Sequence, residues 1–196
     1  MRVVLSNSCG RCMFRHTGRA SSHGFTLLEV MIVITVMAIM AITVVPALSS
    51  ARGAQGAGAA QEVERMLLVA RARAMATGTA HAVRFESSPS SMQMLWRNPQ
   101  TSSVEPALAN DGQPWPVQLF SSRFGNVQIK NVEVEGLSSD AALVWFAFNG
   151  VPELRNDNGT RIGPASSDSI ITLSDGSTVN VIAKTGAVTI SFGGAP

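Results

Sequence analysis

Residues 25–48 read Phe-Thr-Leu-Leu-Glu-Val-Met-Ile-Val-Ile-Thr-Val-Met-Ala-Ile-Met-Ala-Ile-Thr-Val-Val-Pro-Ala-Leu. Between Val30 and Ala41 every side chain but Thr35 is apolar, and the apolar character runs on toward both ends, broken by Glu29, Thr43 and Pro46. Coiled as an α-helix at about 1.5 Å per residue, the stretch extends ~36 Å, enough to cross a bilayer core. Few soluble domains of this size could cover so uniform a run, so the stretch is expected to enter a membrane.

The flanks orient it. Residues 1–24 contain Arg2, Arg11, Arg15 and Arg19 and no acid, whereas the run is followed only by Arg52 and a Gly/Ala-rich stretch. The positive-inside rule then places the N-terminus in the cytoplasm and the C-terminal part outside, which in a bacterium is the periplasm. A secretory signal is cut after its apolar core. Here the candidate site, Gly24, comes before the core, so cleavage would remove the charges and keep the helix.

The whole chain has 15 basic and 13 acidic residues, a net of +2. Setting aside the four leader arginines leaves 11 basic against 13 acidic residues, a net of −2. The basic isoelectric point thus reflects the leader, and nucleic-acid binding by a broad basic face is disfavoured. Both cysteines, Cys9 and Cys12, also fall in the leader. Two thiols alone complete no zinc site, and no strand-helix context surrounds them. Met13 offers an alternative start that would leave them out. From residue 25 onward there is no cysteine, so that part must be stable without disulfides.

The string Gly24-Phe25-Thr26-Leu27-Leu28-Glu29-Val30 resembles the processing signal of type IV prepilins and type II secretion pseudopilins. The basic leader, the Gly-Phe-Thr-Leu-Leu-Glu run, the apolar helix and Pro46 agree with that family in order and spacing. The resemblance implies that a prepilin peptidase cuts between Gly24 and Phe25 and methylates the new amine of Phe25. It also implies that Glu29 serves filament assembly. Physics points the same way, because an intramembrane carboxylate is costly and such residues are usually functional. Glu29 is expected to neutralise the Phe25 amine, in its own subunit or a neighbour's, within an apolar filament core.

Beyond the anchor, Gly53, Gly56 and Gly58 each weaken a helix by about 1 kcal/mol relative to Ala. Residues 47–60 are therefore expected to be flexible or partly melted, with helix resuming near Ala60. Val63, Met66, Leu67, Ala70 and Ala74 recur at helical spacing and should pack on a globular domain. Glu62, Glu64, Arg65, Arg71 and Arg73 are expected largely off that face, with Arg71 and Arg73 solvated, and Gly78 as the stop. Alternating patterns then predict strands over 81–86, 92–97 and 127–134, the third with a bulge near Asn131. Further strands are predicted over 143–148, 170–173, 178–183 and 188–192, the last three joined by Asp175-Gly176 and Thr185-Gly186 turns. Residues 87–116 read mostly as loop.

The expected fold class is α+β: a long N-terminal helix packed on an antiparallel β-rich domain. The expected divisions are a cleaved leader over 1–24, a transmembrane and assembly helix over 25–48, a Gly/Ala-rich segment and amphipathic helix over 49–77, and a periplasmic β-rich domain over 78–196. This order resembles the pilin fold. Ala70-Arg71 with Ala74, Phe148-Asn149-Gly150 and the closing Gly-turn strands most resemble the minor pseudopilin H and FimT-type minor pilin family.

No catalytic constellation is apparent, so no catalytic, cofactor or metal residue is assigned. His81 stands alone at a helix-to-strand junction. Asn156-Asp157-Asn158-Gly159 could offer oxygen ligands to calcium, but lacks the later glutamate of a full loop and reads as an Asx-rich turn. Trp145 is expected in the core. Trp115, between two prolines, is expected to be exposed, as a candidate partner contact. The resemblance implies a minor pseudopilin of a type II secretion system in the inner membrane. Its partners would be prepilin peptidase, other pseudopilins or pilins, the inner-membrane assembly platform and membrane lipid. A FimT-type minor pilin of a type IV pilus is the alternative. Its DNA binding would need a positive patch near the exposed end, which Arg155, Arg161 and Lys184 could form by clustering. A membrane-anchored periplasmic enzyme or binding module is the third class.

Overall fold

A computed structural model describes the backbone of residues 26–135, 137–139 and 141–193; within these, the side chains of 43–52, 137–139 and 141 lie outside the description. The chain divides into two compact units, Met1–Val44 and Val45–Pro196. One helix, α1 (Leu27–Thr77), contributes residues to both.

In the first unit, Thr26 caps the helix. Its hydroxyl accepts a hydrogen bond from the Glu29 amide at 3.2 Å, and its carbonyl accepts from the amides of Glu29 and Val30. The apolar side chains from Leu27 to Ile42 are largely exposed. Thr35 satisfies its hydroxyl by donating to the Met31 carbonyl one turn back, at 2.7 Å. Such back-bonding is how a polar side chain is accommodated in apolar surroundings. Among the described residues, no helix is long and apolar enough to cross a membrane. The described side chains of the apolar run end at Ile42, and the expected span of 25–48 extends beyond them at both ends.

In the second unit, α1 stays helical through Gly53, Gly56 and Gly58, which corrects the expectation of a melted segment. Packing overrides propensity there. A Cβ at Gly56 would run into the Asp175 carboxylate, and one at Gly58 would sit 3.8 Å from the Phe124 ring. The glycine surface lets the helix backbone approach its own domain closely. Helix ends at Thr77, and Gly78, at φ +68°, turns the chain into the first strand as expected.

Among the described residues the strands form two antiparallel sheets. The first contains β1 (His81–Ser87), β2 (Ser90–Arg97), β3 (Val104–Pro106), β7 (Ala141–Phe146), β8 (Pro152–Arg155) and β9 (Arg161–Pro164), in the order β3-β2-β1-β7-β8-β9. The short β4 (Gln118–Leu119) adds to β2, and α2 (Phe120–Phe124) follows it. The second contains β5 (Ile129–Val134), β6 (Leu137–Ser139), β10 (Ser169–Leu173), β11 (Thr178–Val181) and β12 (Val188–Ser191), in the order β12-β11-β10-β5-β6. The expected bulge is present: Thr172 pairs with Asn131 and Leu173 with Ile129, so Lys130 is passed over. The strand expected over 92–97 is present as β2, but the rest of 87–116, read mostly as loop, also carries β3 and a Leu108–Pro114 bridge. The strand expected over 143–148 stops at Phe146, leaving Phe148 exposed in the β7–β8 turn.

The helix face read from the sequence is the core face. Val63, Met66, Leu67, Ala70 and Ala74 are fully buried, in one cluster with Val83, Phe85, Met92, Met94, Val144 and Phe146 of the first sheet. Ile129, Val132, Ile171, Leu173, Val179 and Val181 of the second sheet complete it. Each large apolar side chain so buried stabilises the fold by about 1.5–3 kcal/mol. A smaller cluster of Ala80, Ala82, Leu95 and Trp145 involves strands of the first sheet. Gly159, at φ +74° in the β8–β9 turn, lies so near β3 that a Cβ would stand 2.7 Å from Val104 Cγ2. The two ends of the sheet's strand order therefore approach each other.

Candidate functional site

Glu29 occupies the third position of α1, and it is the sole charge in residues 25–48. The Thr26–Glu29 spacing is that of a capping box, in which a threonine hydroxyl binds the amide three residues on. The sequence reading attached no role to Thr26, although Thr-x-x-Glu ahead of an apolar run was a usable signal. A carboxylate in the first turn also interacts favourably with the positive end of the helix dipole. Gly24 and Phe25 lie outside the described residues, as do Cys9 and Cys12 and the side chain of Pro46.

The polar side chains of the β-rich unit serve its architecture. Glu62, expected off the packing face, is buried, and it accepts bonds from Arg65 Nε and Nη2, each at 2.7 Å, and from Arg123 at 2.8 Å. The Arg65 guanidinium holds the Glu62 carboxyl below the usual carboxylate range, and Arg123 adds to this against the opposing effect of burial. This ties α1 to α2.

Neither Arg71 nor Arg73 is simply solvated. Arg71 donates to the Gly150 carbonyl and to the Thr185 carbonyl, both at 3.0 Å. It joins α1 to the β7–β8 and β11–β12 turns. Arg73 donates to the Leu108 carbonyl and Asn110, with its guanidinium 4.8 Å from the Trp115 ring centre. Trp115, expected exposed, is instead partly buried against the core and covered by that cation. Trp145 is core, as expected, at 2% exposed.

His81 is buried beside Trp96, with Nδ1 3.0 Å from the Thr79 carbonyl. Burial pushes its pKa below the ordinary histidine value, favouring the neutral ring. In the β8–β9 turn the Asn156 carboxamide oxygen accepts the Thr160 amide four residues on, at 2.8 Å, so this Asx side chain serves the turn's own backbone. Among the described residues, no three His, Cys, Asp or Glu side chains gather where they could hold a metal ion. Arg155 and Arg161 do come together, but on Glu153, at 2.6 and 3.0 Å. Lys184 is exposed in the β11–β12 turn and takes no part in that group.

The family model of the prokaryotic N-terminal methylation motif matches residues 19–45. Neither the comparison with curated proteins nor that with solved structures finds a match. The matched segment holds Gly24, Phe25, Glu29 and most of the apolar run. The motif is typical of membrane-anchored proteins, and it suggests processing by prepilin peptidase and assembly with other pilins. This motif ahead of an antiparallel β-sheet domain indicates a type IV pilin-like, prepilin-type protein.

Proposed function

We propose that this protein is a minor pseudopilin of a type II secretion system, a non-catalytic subunit of a periplasmic filament that drives export of folded proteins. Prepilin peptidase cuts after Gly24 and methylates the Phe25 amine. Residues 25–48 hold the subunit in the inner membrane with the β-rich unit in the periplasm. During assembly the helix leaves lipid for the filament core, and Glu29 neutralises the Phe25 amine in its own subunit or a neighbour. The observation that carries this reading is Glu29, the lone charged side chain of the apolar run 25–48, inside the methylation motif. Buried without a counter-charge, either ion would be expensive, so pairing favours the assembled state. The choice of a minor pseudopilin draws support from Arg71, which bonds Gly150 and Thr185 and so gathers the features that resemble that family.

The test is the intact mass and N-terminus of the protein from its host membrane, together with the export and pilus phenotypes of Glu29→Ala. A chain beginning at methylated Phe25, with export of folded proteins lost by the variant, is expected. An uncut chain would overturn the processing claim. Lost piliation with normal export would assign the subunit to a type IV pilus as a FimT-type minor pilin.

A further inference from the structure

A cleft of about 190 Å³ opens where α1 passes into β1, between Arg97 at the end of β2, Arg155 at the end of β8 and Phe148 of the β7–β8 turn. The two guanidiniums differ in how they are satisfied. Arg155 is held on Glu153 through Nε and Nη2, both at 2.6 Å, and donates through Nη1 to the Gly159 carbonyl at 2.5 Å. It lies 5.5 Å from the Trp145 ring centre. Arg97 forms no ion pair among the described residues, and its Nε is buried with no hydrogen-bond partner. The indole Nε1 of Trp145, which packs on Arg155 without lining the cleft, is likewise buried without a partner, as is that of Trp115 elsewhere in the unit. Buried donors lacking acceptors are uncommon and call for an explanation.

The cleft is lined by two cations, Arg97 and Arg155, and by no acid; outside the lining, Glu153 pairs with Arg155 and Arg161, and Glu105 accepts from Asn98. Arg97 is also preorganised. Its amide donates to the Ala80 carbonyl at 3.0 Å, and its aliphatic stem lies against Gly159, where a Cβ would stand 3.5 Å from Cδ. A guanidinium positioned in this way is matched to a planar carboxylate. Phe148, 68% exposed on the same cleft, offers an apolar surface beside that charge.

We propose that the cleft formed by Arg97, Arg155 and Phe148 receives a carboxylate carried beside an apolar side chain, presented by a peptide segment of a partner protein. A nucleic-acid strand fits less well. The pocket accommodates one small group, Arg161 is already engaged by Glu153, and the chain from residue 25 carries net −2, so no extended basic track leads away from it.

The test uses the full chain in detergent micelles, with the three tryptophan indole N–H resonances as reporters and N-acetyl-phenylalanine as the probe. A saturable shift of the Trp145 resonance is expected, with the neutral N-acetyl-phenylalaninamide binding about tenfold more weakly. Arg97→Gln should weaken the acid about tenfold, Arg97→Lys less, and Phe148→Ala about threefold, with unfolding temperatures unchanged for Phe148→Ala. The exposed position of Phe148 keeps that variant informative even if the Arg97 variants fold poorly. Equal binding of acid and amide, undiminished binding by Arg97→Gln and Phe148→Ala, or no saturable shift would overturn the proposal. Tighter binding of inorganic phosphate or of an oligothymidine than of the acid would overturn the peptide assignment.

Discussion

At the scale of single residues, Glu62 and Arg71 show how polar groups hold the β-rich unit together. The Glu62 carboxyl is depressed below its ordinary value of 4.5, first by its hydrogen bonds to Arg65. A depressed carboxyl contributes stability above its unfolded pKa and loses it as pH falls through the folded value. Acid should therefore destabilise the native state below about pH 4.5, and Glu62→Gln should flatten that limb of the pH–stability curve. Because Arg65 and Arg123 are half exposed, solvent screens the pair, and at pH 7 the variant should lose only about 1–2 kcal/mol. Thermal unfolding of the full chain in detergent between pH 3 and 7 measures both effects. Arg71 binds two carbonyls on turns far apart in sequence, so Arg71→Met should cost about 1.5–3 kcal/mol. Hydrogen exchange should show the β7–β8 and β11–β12 turns opening together in that variant. Independent opening of the two turns would show that Arg71 does not couple them.

At the scale of elements, the instructive case is α1 between residues 53 and 58. Intrinsic propensity argues against helix at three glycines, each by about 1 kcal/mol. The helix forms nonetheless because its backbone must pass close to the β10–β11 turn and α2. This separates two substitutions of the same kind. Gly53 has open space where a Cβ would go, so Gly53→Ala should stabilise by up to about 1 kcal/mol. Gly56 faces the Asp175 carboxylate, itself tied to Ser177 at 2.8 Å, so Gly56→Ala should destabilise despite its better propensity. Opposite shifts in melting temperature are the expected result, and equal shifts would mean that packing does not set this part of the helix. The strands divide similarly. Those with clear alternation, such as β1 and β10, were legible, whereas β3, β4, β6, β8 and β9 were missed. Each has only two to four residues, too few to display an apolar period, and no side chain of β3, β4 or β9 is buried.

At the scale of the whole molecule, the sequence by itself determined the type IV pilin-like motif and the order of helix before strands. It also determined the buried helix face of Val63, Met66, Leu67, Ala70 and Ala74. These are local or periodic features: a cleavage signal is a short string, an apolar run is a sum over neighbours, and a helical face repeats every few residues. Only the tertiary structure decided the fates of the charged and aromatic side chains. Glu62 became a buried acceptor, Arg71 and Arg73 became ties between distant turns, and Trp115 was covered by a cation. Only it could place Arg97 beside Arg155, 58 residues further along the chain. The physical reason is that a long polar side chain can reach many partners. Which one it meets depends on strand order and turn geometry, and neither leaves a period in the sequence.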